Sequence, residues 1–185
     1  MLEKIKTRVR KADLRDVENI CRWAASEDFI NNLYDLDTKD PKKLRTRVVA
    51  MVENSTRDPS NEIILIVETP EKPIGMILYS RINWRSRNLY ESTVIGEEEY
   101  KNKIYGLKFL HEMLEFAFKE LNMHKISGYV YDFNGRMSSL IEHFGAIKEG
   151  FFKDFINRDG KRHGAAVYAF FDRDYPKFLD MISKY

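Results

Sequence analysis

The sequence predicts an α+β domain built on a mixed, mostly antiparallel sheet of about seven strands. Three observations predict it. Strand-like runs at residues 63–67, 74–79 and 89–95 follow one another, joined by turns at residues 69–73 and 84–87. The period then changes: Leu107, Leu110, Met113, Leu114, Ala117, Phe118 and Leu121 repeat at three and four, the signature of a helix. Two further strand runs flank Asp159-Gly160, a hairpin signal. A meander followed by β-α-β is an α+β pattern.

The elements follow in order. Residues 4–10 alternate weakly and make a first strand. Asp13 is placed to cap a helix, with Asp16 in its first turn and Leu14, Val17, Ile20, Cys21 and Ala24 along its apolar stripe. Cys21 is therefore expected to be a packed thiol rather than a nucleophile. Residues 27–39 are mixed, with Phe29 and Tyr34 among acids and amides. Asp40-Pro41 starts a second helix, because the N–H that proline lacks is one the first turn leaves unpaired anyway. Its apolar face is Leu44, Val48, Met51 and Val52, and residues 54–61 form a polar loop. The long helix that follows the meander ends near Asn122. Residues 126–131 form a strand and residues 136–144 a short helix, with Gly145 as its C′ residue. Residues 147–156 and 165–171 make the closing hairpin, and residues 174–184 a last short helix.

Composition excludes several classes. The 185 residues suit one domain spanning residues 1–185, and 43% hydrophobic content is enough to build a core. A net charge of +2 gives no general field for nucleic acid. Apolar runs of five to seven residues fall short of the roughly 20 needed to span a bilayer. One cysteine, Cys21, forms no intramolecular disulfide, and the basic start has no apolar segment of the signal-peptide kind. A cytoplasmic protein is expected.

Three stretches carry a resemblance: residues 94–106, residues 134–150, and Arg158-Asp159-Gly160-Lys161-Arg162-His163 with the last strand. In order and in spacing they resemble the GNAT acetyltransferase superfamily, over about residues 6–171. The closest branch acetylates ribosomal-protein N-termini, spermidine and small-molecule amines. The resemblance implies a fourth and a fifth strand that splay apart, helices on both faces, and acetyl-CoA as co-substrate. It implies no metal. The acceptor would be a peptide or small-molecule amine, and the protein a monomer or homodimer.

The family's pyrophosphate loop corresponds to Lys101-Asn102-Lys103-Ile104-Tyr105-Gly106, leading into Leu107. Backbone N–H groups and the positive dipole end of a helix would face the diphosphate, with charge added by Lys101 and Lys103. Ile104 stands where the family has glycine. Its β-branch requires negative φ at that position. By the same resemblance a backbone N–H near Val94, Ile95 or Gly96 would polarise the thioester carbonyl, and Asn134 would hydrogen-bond the coenzyme. Asn134 is equally suited to cap the following helix.

Glu91 on the fourth strand is the candidate general base. Tyr90, its neighbour on the other face, takes that place if the register is off by one. Glu97-Glu98-Glu99 are expected to be solvated. Ile141 occupies the position where the family has a tyrosine that protonates the leaving thiolate, and Tyr131 is the substitute phenol. His111, His124, His143 and His163 are scattered and form no histidine pair with metal-site spacing. His163 follows the hairpin turn toward the acceptor end. Trp23, Phe29, Tyr34 and Trp84 lie in regions that wall the acceptor pocket in this family. The function implied is acetyl transfer to a primary amine in a ternary complex. Ile104 and Ile141 give the alternative, a non-catalytic acyl-CoA-binding module.

Overall fold

The computed structural model describes residues 5–26, 40–158 and 160–185. Phe29, Tyr34 and Asp159, and the start of the first strand at Lys4, lie outside them. The strands are β1 (Arg8–Lys11), β2 (Ile63–Glu68), β3 (Pro73–Asn83), β4 (Asn88–Ile95), β5 (Lys125–Tyr131), β6 (Ile147–Arg158) and β7 (Lys161–Phe171). The helices are α1 (Val17–Ala24), α2 (Pro41–Ser55), α3 (Lys103–Glu115), α4 (Gly135–His143) and α5 (Tyr175–Ile182). One seven-stranded sheet runs β1-β2-β3-β4-β5-β7-β6, with β4 and β5 parallel and every other pair antiparallel.

Alternation along β2 sorts two cores onto the two faces. Ile64 and Ile66, with Met76 and Val94, meet Ile20 and Trp23 of α1 and Leu44, Val48 and Val52 of α2. Leu65 and Val67, with Ile77, Leu89, Ile126 and Val130, meet Leu107, Met113 and Leu114 of α3 and Phe178 and Ile182 of α5. A strand buried on both faces reads as a continuous apolar run, as residues 63–67 do. Each such side chain stabilises by roughly 1.5–3 kcal/mol on burial.

Several local expectations are corrected. Asp13 caps a 3-10 turn, Leu14–Asp16, in a reciprocal capping box with Asp16, and α1 starts one turn later. Leu14 is consequently off the apolar stripe and 58% exposed. Asp40 caps α2 as expected, accepting from the Lys42 and Lys43 amides. The long helix is α3 plus a π-turn, Phe116–Glu120. The buried Tyr79 hydroxyl donates to the Met113 carbonyl at 2.6 Å, beside that change of ladder. β3, β6 and β7 all run longer than their apolar patterns, because polar residues continue the ladders toward their turns.

Candidate active site

The parallel pair β4–β5 holds together over three residues: Asn88↔Lys125, Leu89↔Ile126 and Tyr90↔Ser127. Beyond that point the two strands part. β4 follows β3 as far as Gly75↔Ile95, and β5 follows β7 as far as Tyr131↔Ala165. The result is a wedge-shaped gap whose apex lies beside Tyr90 and Ser127.

Ladder alternation decides which backbone groups face this gap. Gly96 N–H donates to the Ile74 carbonyl and Lys125 N–H to the Arg87 carbonyl, so odd-numbered residues of β4 face β5. Glu91, Thr93 and Ile95 therefore present their amides to the gap, while those of Ser92, Val94 and Gly96 go to β3. Asp132 N–H donates to the Gly164 carbonyl, and the same reasoning turns the amides of Tyr129 and Tyr131 toward the gap. A row of unpaired strand amides suits an extended ligand carrying amide groups of its own. Of the backbone donors named from the sequence, Ile95 lies on this row. Val94 and Gly96 do not, and the Val94 side chain is buried in the core.

The mouth of the gap leads to α3. Asn102 is its N-cap, and its Oδ1 accepts from the Ile104 amide at 3.1 Å and the Tyr105 amide at 3.2 Å. Two first-turn donors expected to be unpaired are thus held by the chain's own side chain. The Lys103 amide takes no part in that cap. Ile104 lies inside the helix, where its β-branch meets no strain. A Cβ built on Gly106 would meet nothing within 4 Å, so its face is open. Lys101 pairs with Glu98 at 2.7 Å, and the Lys103 ammonium lies 4.5 Å from the centre of the Tyr185 ring. Tyr105 packs edge-on against Tyr100 at 4.7 Å. Leu107 is fully buried, so its side chain belongs to the core rather than to a ligand. Asn134 caps α4, accepting from the Met137 amide at 3.3 Å.

Glu91 lies one residue past the apex on the α3 face. One carboxylate oxygen accepts from the Thr93 hydroxyl at 3.0 Å. The other rests over Gly128 of β5, where a Cβ would come within 2.6 Å of it. Gly128 leaves the room that this carboxylate occupies. Burial pushes the Glu91 pKa up to about 7, with the Thr93 hydrogen bond pulling the other way. A carboxylate near 7 is matched to proton transfer at neutral pH. Tyr90 points to the opposite face and stacks on Tyr129 at 5.3 Å. The structure therefore brings Glu91 and Tyr90 to one apex from opposite sides of the sheet.

Glu97 differs from the solvated residue expected. It is 8% exposed and accepts from Trp23 Nε1 at 2.8 Å and from Arg22 at 2.5 Å, with Lys72 Nζ at 3.4 Å. These donors, Arg22 first, pull its pKa down to about 2. Trp23 presses on Gly96 so closely that a Cβ there would lie 2.3 Å from the indole. Glycine and carboxylate together dock α1 onto the β4–α3 turn. Ile141 sits on α4, packed against the core and with no proton to give. Tyr131 is buried, its ring stacked on Phe133 at 5.5 Å. His163 Nδ1 meets Asp132 at 2.9 Å near the open end of the gap. On α3, ligand atoms of His111, Glu112 and Glu115 lie within 4.8 Å of one another, with Lys108 Nζ already 3.1 Å from Glu112. No helix among the described residues is long and apolar enough to cross a membrane.

A sheet whose parallel central strands part, with a helix N-terminus beyond the gap, defines the acyl-CoA transferase class that the sequence motifs resemble. Residues 6–147 match the model of the acetyltransferase (GNAT) domain. The chain belongs to the GNAT acetyltransferase family. It is 25% identical over 126 residues to YnaD of Bacillus subtilis strain 168, an uncharacterised N-acetyltransferase, covering 68% of this chain and 73% of that one. Its fold matches the Vibrio cholerae spermidine N-acetyltransferase solved with CoA and spermine, at a TM-score of 0.81 and 19% identity, over 92% of this chain and 98% of that one. The same enzyme solved with manganese ions gives a TM-score of 0.77 at 19% identity, over 93% and 96%.

Proposed function

We infer that the protein transfers an acetyl group from acetyl-CoA to a primary amine by direct attack while both are bound. The observation that carries this is the parting of β4 and β5 after Tyr90↔Ser127, with Glu91 at the apex. The pantetheine arm would lie along the amides of Thr93, Ile95, Tyr129 and Tyr131. The diphosphate would sit at the start of α3, beside Lys101, Lys103 and the open face of Gly106, displacing or sharing the Asn102 cap. The CoA in the Vibrio cholerae relative supports this donor.

Glu91 would take the proton from the attacking amine. A lysine-type amine has a pKa of about 10.4, so roughly one molecule in 10³ is neutral at pH 7, against roughly one in ten for an α-amine of pKa about 7.7–8.0. The base therefore matters most for the first kind. The thiolate of coenzyme A, with a thiol pKa of about 8.5, leaves without an acid, which accommodates Ile141.

The test is coenzyme A thiol release from acetyl-CoA in the presence of an amine panel. Release that depends on an amine supports transfer. Tight binding of acetyl-CoA with no release on any amine class would reduce the protein to an acyl-CoA binder.

A further inference from the structure

Past β4, the sheet face opposite α3 carries no helix among the described residues. What it carries is aromatic. Tyr90 and Tyr129 stack at the apex of the gap, Phe155 lies 5.2 Å from Tyr129, and Phe152 stacks on Phe155 at 5.4 Å. Phe152 and Phe155 are 47% and 42% exposed. They converge because β6 is bulged between Phe152 and Ile156, with Asp154 at φ 50°. A contiguous exposed apolar patch bordering a reaction gap marks a binding surface.

Arg81 adds a second, independent feature. β3 is bulged between Ser80 and Asn83, and Arg81 sits in the bulge at φ 51°. A long side chain at positive φ is uncommon, and bulges re-aim side chains. This one turns the guanidinium over Tyr90, 5.2 Å from the ring centre, with Nη1 3.4 Å from the Tyr129 hydroxyl. Glu62 borders the same surface hollow, yet no carboxylate among the described residues is paired with Arg81. A guanidinium lying on a ring keeps an N–H edge available to a carboxylate.

We propose that this face seats the acceptor, and that the acceptor is a primary amine on an aromatic or apolar body that also bears an anionic group, held by Arg81. The proposal rests on the acetyl-transfer reading and names its substrate class. The rings take the body, Arg81 takes the anion, and the amine reaches the apex. There its nitrogen attacks the thioester carbon. The N–C bond forms, the C–S bond breaks, the sulfur leaves as thiolate, and the amine proton passes to Glu91. A polycation meets a fixed positive charge at this apex and is disfavoured.

The test compares matched amines that differ by one carboxylate: 4-(aminomethyl)benzoate with benzylamine, and phenylalanine with phenethylamine, alongside spermidine. The expected result is a kcat/KM advantage for the carboxylate member of a pair and poor use of spermidine. Asparagine tolerates positive φ, so Arg81→Asn keeps the bulge. It should erase the advantage, a loss of roughly ten- to a hundredfold for the acid, with a much smaller change for the neutral amine and partial rescue in Arg81→Lys. Spermidine as the best substrate, or an advantage that survives Arg81→Asn, overturns the proposal while leaving acetyl transfer intact. Loss of acetyl-CoA binding by the wild type would instead remove the reading beneath it.

Discussion

Replacing Glu97 with glutamine removes one negative charge from a site where Arg22, Trp23 and Lys72 converge. Glutamine keeps an acceptor for the Trp23 indole N–H, so the variant isolates charge from shape. The folded pKa is about 2, against 4.5 for an unperturbed glutamate. That difference of about 2.5, at about 1.36 kcal/mol for each, gives roughly 3 kcal/mol at pH 7. The sign follows from the depressed value. The folded state binds the proton less readily than the unfolded chain, so the stabilisation is fully present above about 4.5 and is lost as pH falls toward 2. By the same relation less than half of it remains at pH 3. Urea unfolding of wild type and Glu97→Gln at pH 7, 5 and 3 reads this directly. The gap between the two proteins should be largest at pH 7, nearly as large at pH 5 and less than half at pH 3. A gap that stays constant over that range, or is absent at pH 7, refutes the ion-pair account of Glu97.

The remaining predictions concern the gap itself. Glu91 carries a raised pKa of about 7, so amine-dependent kcat/KM should rise through that pH, and Glu91→Gln should flatten the limb and slow high-pKa amines more than α-amines. An identical pH profile in the variant removes Glu91 as the base. Gly128→Ala places a methyl 2.6 Å from a Glu91 oxygen and should cut turnover about tenfold or more, on the scale of a displaced base, with acetyl-CoA affinity changed far less; full activity would contradict the packing. Gly96→Ala drives a methyl into the Trp23 indole and should cost about 1–3 kcal/mol by thermal or urea unfolding. Wild-type stability in that variant would mean that α1 is not docked there.

Element order was legible because period and turn chemistry are local. The β-branched run at residues 63–67, the three-and-four repeat of α3 and the Asp40-Pro41 start all became the elements they signal. The gap was legible only through resemblance, since backbone amides leave no side-chain signature. What was missed depends on contacts distant in sequence. Glu97 sits in a run of three glutamates that reads as solvated, yet Trp23 and Arg22 lie more than seventy positions earlier. Leu107 follows the loop in sequence, and its helical phase turns its side chain into the core. Asn102 lies in the loop as well, and an asparagine before a helix also caps it. Gly128 did carry a signal, because a glycine inside a strand marks close approach by another group. Arg81 carried none, since nothing in its neighbours announces a bulge.

Gly106→Val is the cleanest probe of the proposed coenzyme site, because a Cβ at that position meets nothing within 4 Å. Calorimetric titration of acetyl-CoA into wild type and Gly106→Val, with melting curves alongside, tests whether the start of α3 holds the diphosphate. Saturable binding to wild type is expected, weakened about tenfold or more in the variant at little change in melting temperature. Equal affinity in the two proteins, or no binding to wild type, would contradict it.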